Sequence, residues 1–254
     1  MDKRFLGIIV VIIIVIAGIV VFTNNNQKGN NGSGGKVGTL TQHIEGQGKA
    51  GIKLVEYGDY QCPYCGEYDP IVKQVASIYN QQITFQFRNY PLTEIHPNAF
   101  AGARAAEAAA LQGKFWQMHD LLYQQSAEYY QSNEKLSNWV GASNPEPYFV
   151  QDAKQIGLNI SQFKQAFSGN KVNNLINADK SEGDKLGVQG TPTFYLSGRA
   201  IKPNISLASF EKIINKAVKN KGLTPPAAAN PAKAPSSSSK SLGAPQSTQP
   251  KSKK

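Results

Sequence analysis

The chain has 254 residues, a formal net charge of +10, 40% hydrophobic residues and only two cysteines. Two thiols exclude a disulfide-dense scaffold and a four-cysteine zinc site. The charge does not indicate nucleic-acid binding: residues 1–39 carry +3, residues 40–223 carry 18 basic and 16 acidic residues, and residues 224–254 carry five lysines and no acid. The excess thus sits at the two ends, and the middle is nearly neutral.

The chain opens with "MDKRFLGIIVVIIIVIAGIVVF", in which residues 5–22 are apolar apart from two glycines and follow Lys3 and Arg4. Such a run spans about 27 Å as a helix, close to a bilayer core. The positive flank predicts a cytoplasmic N-terminus and everything after Phe22 outside the membrane. "VFTNNNQ" is a poor cleavage site, so residues 1–22 read as a single-pass, uncleaved cell-membrane anchor. Residues 23–38, rich in Asn, Gly and Ser, read as a flexible tether. Residues 224–254 combine Pro, Ala, Ser and Lys without an aromatic residue and read as a disordered tail. The folded unit is therefore expected over residues 39–223, long enough for one real core.

Within it, "GIKLVEYG" (51–58) alternates as a strand does. Pro63 sits where a helix can begin, and "EYDPIVKQVASIYN" has helical periodicity with a kink expected at Pro70. "ITFQFRNYP" (83–91) alternates again. From about 96 to 187 the pattern is helical: an alanine-rich stretch, then short helices over "NEKLSNWVGAS", "PEPYFVQDAKQIGL" and "ISQFKQAFSGNKVNNLINADKSEGDKLG". "TPTFYLSGRAIKP" predicts two strands about a Ser197-Gly198 turn, and "SLASFEKIINKAVKNKG" a closing helix capped by Ser206 or Ser209 and ended at Gly222. A central sheet with helices on its faces and a separate helical lobe accommodates this order, which is an α/β fold.

Both cysteines lie in "LVEYGDYQCPYCGEYDP". A bridge between Cys62 and Cys65 closes too small a loop to stabilise the chain much. A CxxC pair between a strand and a helix N-terminus reads instead as a thiol redox site. Unpaired backbone N–H groups and the helix dipole there favour the thiolate. Cys62 is the expected exposed nucleophile at the helix tip, and Cys65, one turn in, its buried partner. Pro63 has no N–H to lose in the first turn. Zinc would need four ligands, and His43, His96 and His119 lack ligand spacing.

"VEYGDYQCPYC", "FRNYPL", "HPNAFAGARAAEAA", "FWQMHDLL" and "GVQGTPTFYLSG" together resemble the DsbA-like thiol–disulfide oxidoreductases, in the membrane-anchored or secreted bacterial group similar to BdbD. The resemblance covers about residues 43–221. It implies a thioredoxin fold with a helical domain inserted at about residues 92–187. It implies oxidation of thiols in exported proteins, with no cofactor or metal beyond the Cys62–Cys65 disulfide, and recharging by a quinone-linked membrane oxidase. Thr191-Pro192 matches the family's cis-proline loop, where Thr191 offers backbone hydrogen bonds to substrate; Pro63 and Tyr64 join it on the substrate-binding face. Glu56 matches the acidic position beneath the cysteines and is expected to face inward and pass a proton to Cys65. One departure stands out: the dipeptide is Pro-Tyr, not the Pro-His of the best-known strong oxidant, and Tyr64 supplies no positive charge. A reductase or isomerase on the same scaffold is the alternative, and a tethered chaperone-like binding module a third reading.

Overall fold

A computed structural model describes residues 39–132 and 137–226. The expected anchor, tether and most of the tail lie outside the described residues. Among the described residues, no helix is long and apolar enough to cross a membrane.

The elements are β1 (His43–Glu45), β2 (Ile52–Gly58), α1 (Pro63–Ile78), β3 (Ile83–Asn89), α2 (Ala99–Ala110), α3 (Phe115–Gln131), α4 (Glu146–Gln155), α5 (Ile160–Phe167), α6 (Asn170–Lys185), β4 (Thr193–Leu196), β5 (Arg199–Ile201) and α7 (Leu207–Asn220). The sheet runs β1-β3-β2-β4-β5. β2 and β3 pair in parallel, joined by α1, and every other pairing is antiparallel. A parallel pair needs a crossover, and α1 supplies it.

The period of two along β2 sorts its side chains onto opposite faces. Leu54 and Glu56 point one way, with Phe87 and Phe194 opposite Glu56 on the flanking strands. This face is covered by α1, α3 and α7: Phe87 meets Tyr123 and His119 of α3, and Phe194 meets Tyr68 of α1 and Phe210 of α7. Tyr57 points the other way and packs with Tyr90, Val188 and Tyr195 under α6. The alanine-rich α2 buries Ala103, Ala105, Ala106, Ala108 and Ala109, and its small side chains let α3, α5 and α6 pack around it.

The helical lobe between β3 and β4 and the hairpin are as expected. Ser197 and Gly198 both take positive φ, 49° and 80°, the geometry of a tight primed turn between twisted strands. Ser206 caps α7, accepting from Ser209 N–H. α1 continues as one helix past Pro70.

One expectation needs correction. The helix expected over "NEKLSNWVGAS" is absent from its described part, residues 137–143, which forms bends and turns. Side-chain amides replace the helical backbone bonds there. Asn138 accepts from Val140 N–H at 2.9 Å, and the Asn98 amide donates to the carbonyls of Trp139 and Ala142, each at 2.8 Å. β1, too short and polar to show periodicity, is an element the sequence did not reveal, and it pairs with β3.

Candidate active site

Position 58, the last of β2, takes glycine because a side chain there would collide: an added Cβ would sit 2.5 Å from Phe87 Cε2 and 2.6 Å from the Tyr123 hydroxyl. The chain then turns through Asp59, Tyr60 and Gln61 into α1. Cys62 is the N-cap, with extended backbone and no side-chain cap of its own, and Pro63 follows in the first turn. The Cys62 N–H donates to the Asp59 carbonyl at 3.1 Å, and the Cys62 carbonyl accepts Gly66 N–H at 3.3 Å.

The two thiols are unpaired and differ in environment. Cys65 is fully buried. Burial first, then the hydrogen bond to Cys62, pushes its thiol well above the ordinary range. Cys62 goes the other way, from 9.0 to about 6. The thiol of Cys65 donating to its sulfur does most of this. Burial opposes it, while the otherwise unpartnered hydroxyl of Thr191 and the backbone N–H of Cys65 add to it. The expected exposure of Cys62 is corrected: it is only 4% exposed. Thr191 explains the cover, its carbonyl oxygen lying 3.3 Å from the Cys62 sulfur. The Thr191–Pro192 bond is cis, as the resemblance implied. The Thr193 hydroxyl, donating to the Gly190 carbonyl at 2.7 Å, fixes the loop, and Thr193 pairs with Tyr57 at the end of β2. Pro63 is partly exposed, and Tyr64 is 63% exposed at the helix tip.

Glu56 faces inward, as expected, and is 2% exposed. Its Oε1 is buried without a hydrogen-bond partner. Burial, then the charges of Asp69 and Cys62, push its carboxyl well above the usual carboxylate range. Its charge in turn raises Cys65. The raised carboxyl thus lies within electrostatic reach of the buried thiol.

Several groups around the site were not picked out from the sequence. Asp69 of α1 accepts from Lys73 at 2.7 Å and lies 3.5 Å from His119 Nε2, while His119 Nδ1 is 3.0 Å from the Tyr60 hydroxyl. Among the described residues, Asp69, His119 and Asp120 are the one group with metal-ligand proximity. The Lys73 ammonium, 2.7 Å from Asp69 and 2.9 Å from Asp120, already supplies the positive charge there. An open groove of about 540 Å³ runs beside them, lined by Gly66, Asp69, Pro70 and Tyr123 among others. Pro70 has no N–H to donate to the Gly66 carbonyl one turn back. On the other side of Cys62, Asp59 and His96 form a pair at 2.7 Å.

A family model described as thioredoxin matches residues 38–216. The chain belongs to this thioredoxin family. Among its thioredoxin-family relatives is the "probable disulfide bond formation protein D" of Bacillus anthracis, 29% identical over 188 residues, covering 70% of this chain and 79% of that one. The Na⁺/H⁺ antiporter NhaA 3 of Salinispora tropica is 34% identical over 157 residues, covering 62% of this chain but only 22% of the antiporter. The chain therefore spans under a third of the antiporters that it matches. Oxidised BdbD from Bacillus subtilis shares the fold with a TM-score of 0.58 and 21% identity, over 72% of this chain and 97% of that one. The thioredoxin fold that the five motifs implied therefore holds, and BdbD shares it.

Proposed function

We propose that this protein is an extracytoplasmic thiol–disulfide oxidoreductase that donates its Cys62–Cys65 disulfide to exported proteins with free thiols. The observation that carries the reading is the asymmetry of the two sulfurs: Cys62 is stable as a thiolate and Cys65 as a thiol. Stabilising the reduced pair in this way makes its disulfide a better oxidant.

In this reading a substrate thiolate attacks the Cys62 sulfur of the disulfide. The S–S bond breaks, and its electron pair leaves on Cys65, which takes the proton held by buried Glu56. Solvent in the groove beside Asp69 restores that proton. A second substrate thiol, deprotonated, attacks its partner in the mixed disulfide and releases Cys62 as thiolate. Two electrons have then moved from substrate to enzyme. Thr191 and Pro192 hold the substrate backbone beside Cys62 in the manner of an added strand. Tyr64 and Ile95, 63% and 69% exposed, offer apolar surface for an unfolded chain.

Residues 5–22 would anchor the protein with its N-terminus in the cytoplasm, beside a quinone-linked membrane oxidase that returns the pair to the disulfide. The antiporter names support a setting at the membrane, since a homologous segment there is part of a membrane protein. The second reading, a reductase or isomerase, is favoured by Tyr64, which brings no positive charge between the cysteines.

The test is oxidative refolding of a reduced, two-disulfide substrate protein by the oxidised full chain. The oxidase reading expects disulfides to appear in stoichiometry with enzyme and to vanish with Cys62→Ala. Refolding assistance that survives Cys62→Ala and Cys65→Ala together would indicate a binding module instead.

A further inference from the structure

Cys62 has a carboxylate for a close neighbour, and the structure shows how that charge is met. The Asp59 side chain is fully buried. Its Oδ1 accepts Gln61 N–H at 2.8 Å, and its Oδ2 accepts Leu92 N–H at 2.9 Å and pairs with His96 Nδ1 at 2.7 Å. Its backbone carbonyl holds Cys62 N–H. The pair is thus fastened to the peptide of the nucleophile on one side and to the loop after β3 on the other. The parallel register brings these together, since Gly58 lies opposite Asn89 and the two strands end side by side.

Asp59 alone would oppose a thiolate at Cys62. His96 is held by Asp59, and the hydrogen bond to that carboxylate is the main cause that raises its proton affinity; the Cys62 charge adds to it. The groups that face Cys62 are Glu56 from β2, Asp59 from the turn, Cys65 from α1, His96 from the loop after β3, Tyr130 from α3 and Thr191 from the cis-proline loop. Of these, only His96 can be a cation.

The geometry points to His96, clamped by Asp59, as the source of the positive charge that the Pro63-Tyr64 dipeptide lacks, and so as a residue that, beside the Cys65 thiol, tunes how much of Cys62 is thiolate. His96 is a positioning residue: it acts through the Cys62 sulfur. The inference rests on the proposed function only in taking Cys62 as the attacking thiol.

The test titrates the reduced full chain by the ultraviolet absorbance of the thiolate. His96→Gln keeps a donor for Asp59 and removes the charge. It should raise the Cys62 midpoint by about one unit, with alkylation by iodoacetamide about fivefold slower near pH 6. His96→Lys should recover most of that rate. A midpoint unmoved in His96→Gln, or moved equally in His96→Lys, would overturn the proposal, the latter by showing a purely structural role.

The unsubstituted chain gives a second reading that needs no variant. Coupling is reciprocal, so the His96 ring, followed by NMR, must hold its proton to higher pH when Cys62 is a thiolate than when it is in the disulfide. Equal titration in the two redox states would also overturn it. Neither measurement involves a substrate or a direction of electron flow. A failed oxidase reading would therefore show in the refolding assay and leave these results standing.

Discussion

The Cys62 sulfur lies 3.3 Å from the carbonyl oxygen of Thr191, which follows it by 129 residues. A thiol can donate to that carbonyl; a thiolate or a disulfide sulfur cannot. Once Cys62 has lost its proton, the carbonyl is free to accept a backbone N–H from an incoming segment. In the proposed exchange one oxygen would serve the Cys62 thiol and then the substrate.

The proposed exchange puts the substrate sulfur at Cys62. Cys65→Ser should therefore trap a mixed disulfide on Cys62 when the reduced chain meets an oxidised peptide, visible as a mass adduct. Cys62→Ser should form none. An adduct on Cys65 in the Cys62→Ser chain would contradict the assignment of roles, since Cys65 is fully buried.

Glu56 is a buried acid whose carboxyl is raised well above 4.5. A group raised in this way favours the fold below its unfolded value, and that contribution is lost as pH rises through its folded value. Glu56→Gln never ionises. The variant should match the unsubstituted chain below about pH 4 and exceed it in stability increasingly toward neutral pH, while losing exchange rate. Urea unfolding at several pH values reads the first effect. A variant less stable at every pH would show that the carboxylate is tied to a partner.

Cys62 has the opposite sign, lowered from 9.0 to about 6. Its contribution to the reduced fold is complete above the unfolded value and lost as pH falls through about 6. The stability advantage of the reduced chain over Cys62→Ser should widen between those limits. A pH-independent difference would contradict the lowered thiolate.

Much of this was legible because it is written in neighbouring residues. Cys62-Pro63 opens a helix, Thr191-Pro192 makes the loop, and Ser197-Gly198 makes the hairpin, each from a dipeptide with restricted backbone choices. The alternation of β2 and β3 gave the sheet and turned Glu56 inward. Asp59 and His96 are 37 residues apart, and neither looks unusual alone. Only the parallel pairing of β2 with β3 brings their ends together. The helix misread around Trp139 had apolar residues at helical spacing, but spacing does not reveal that Asn98, 41 residues earlier, would take the carbonyl.

A structural pairing was equally hidden. Arg88 on β3 donates to the Thr41 carbonyl and lies 3.4 Å from Asp179 on α6, whose side chain is fully buried. Arg88→Met would leave that carboxylate without its cation and should cost about 3–5 kcal/mol in urea unfolding. Adding Asp179→Asn should return a good part of it. A cost below about 1 kcal/mol would mean that Thr41 and Asn89, which also donate to Asp179, carry the charge unaided.

The measurement that bears most directly on the central claim is the redox potential of the Cys62–Cys65 pair, equilibrated against glutathione buffers. The stabilised Cys62 thiolate leads us to expect a value near or above about −150 mV, toward the oxidising end of the thioredoxin fold. A value below about −230 mV would contradict the oxidase reading and make this protein a reductant or isomerase.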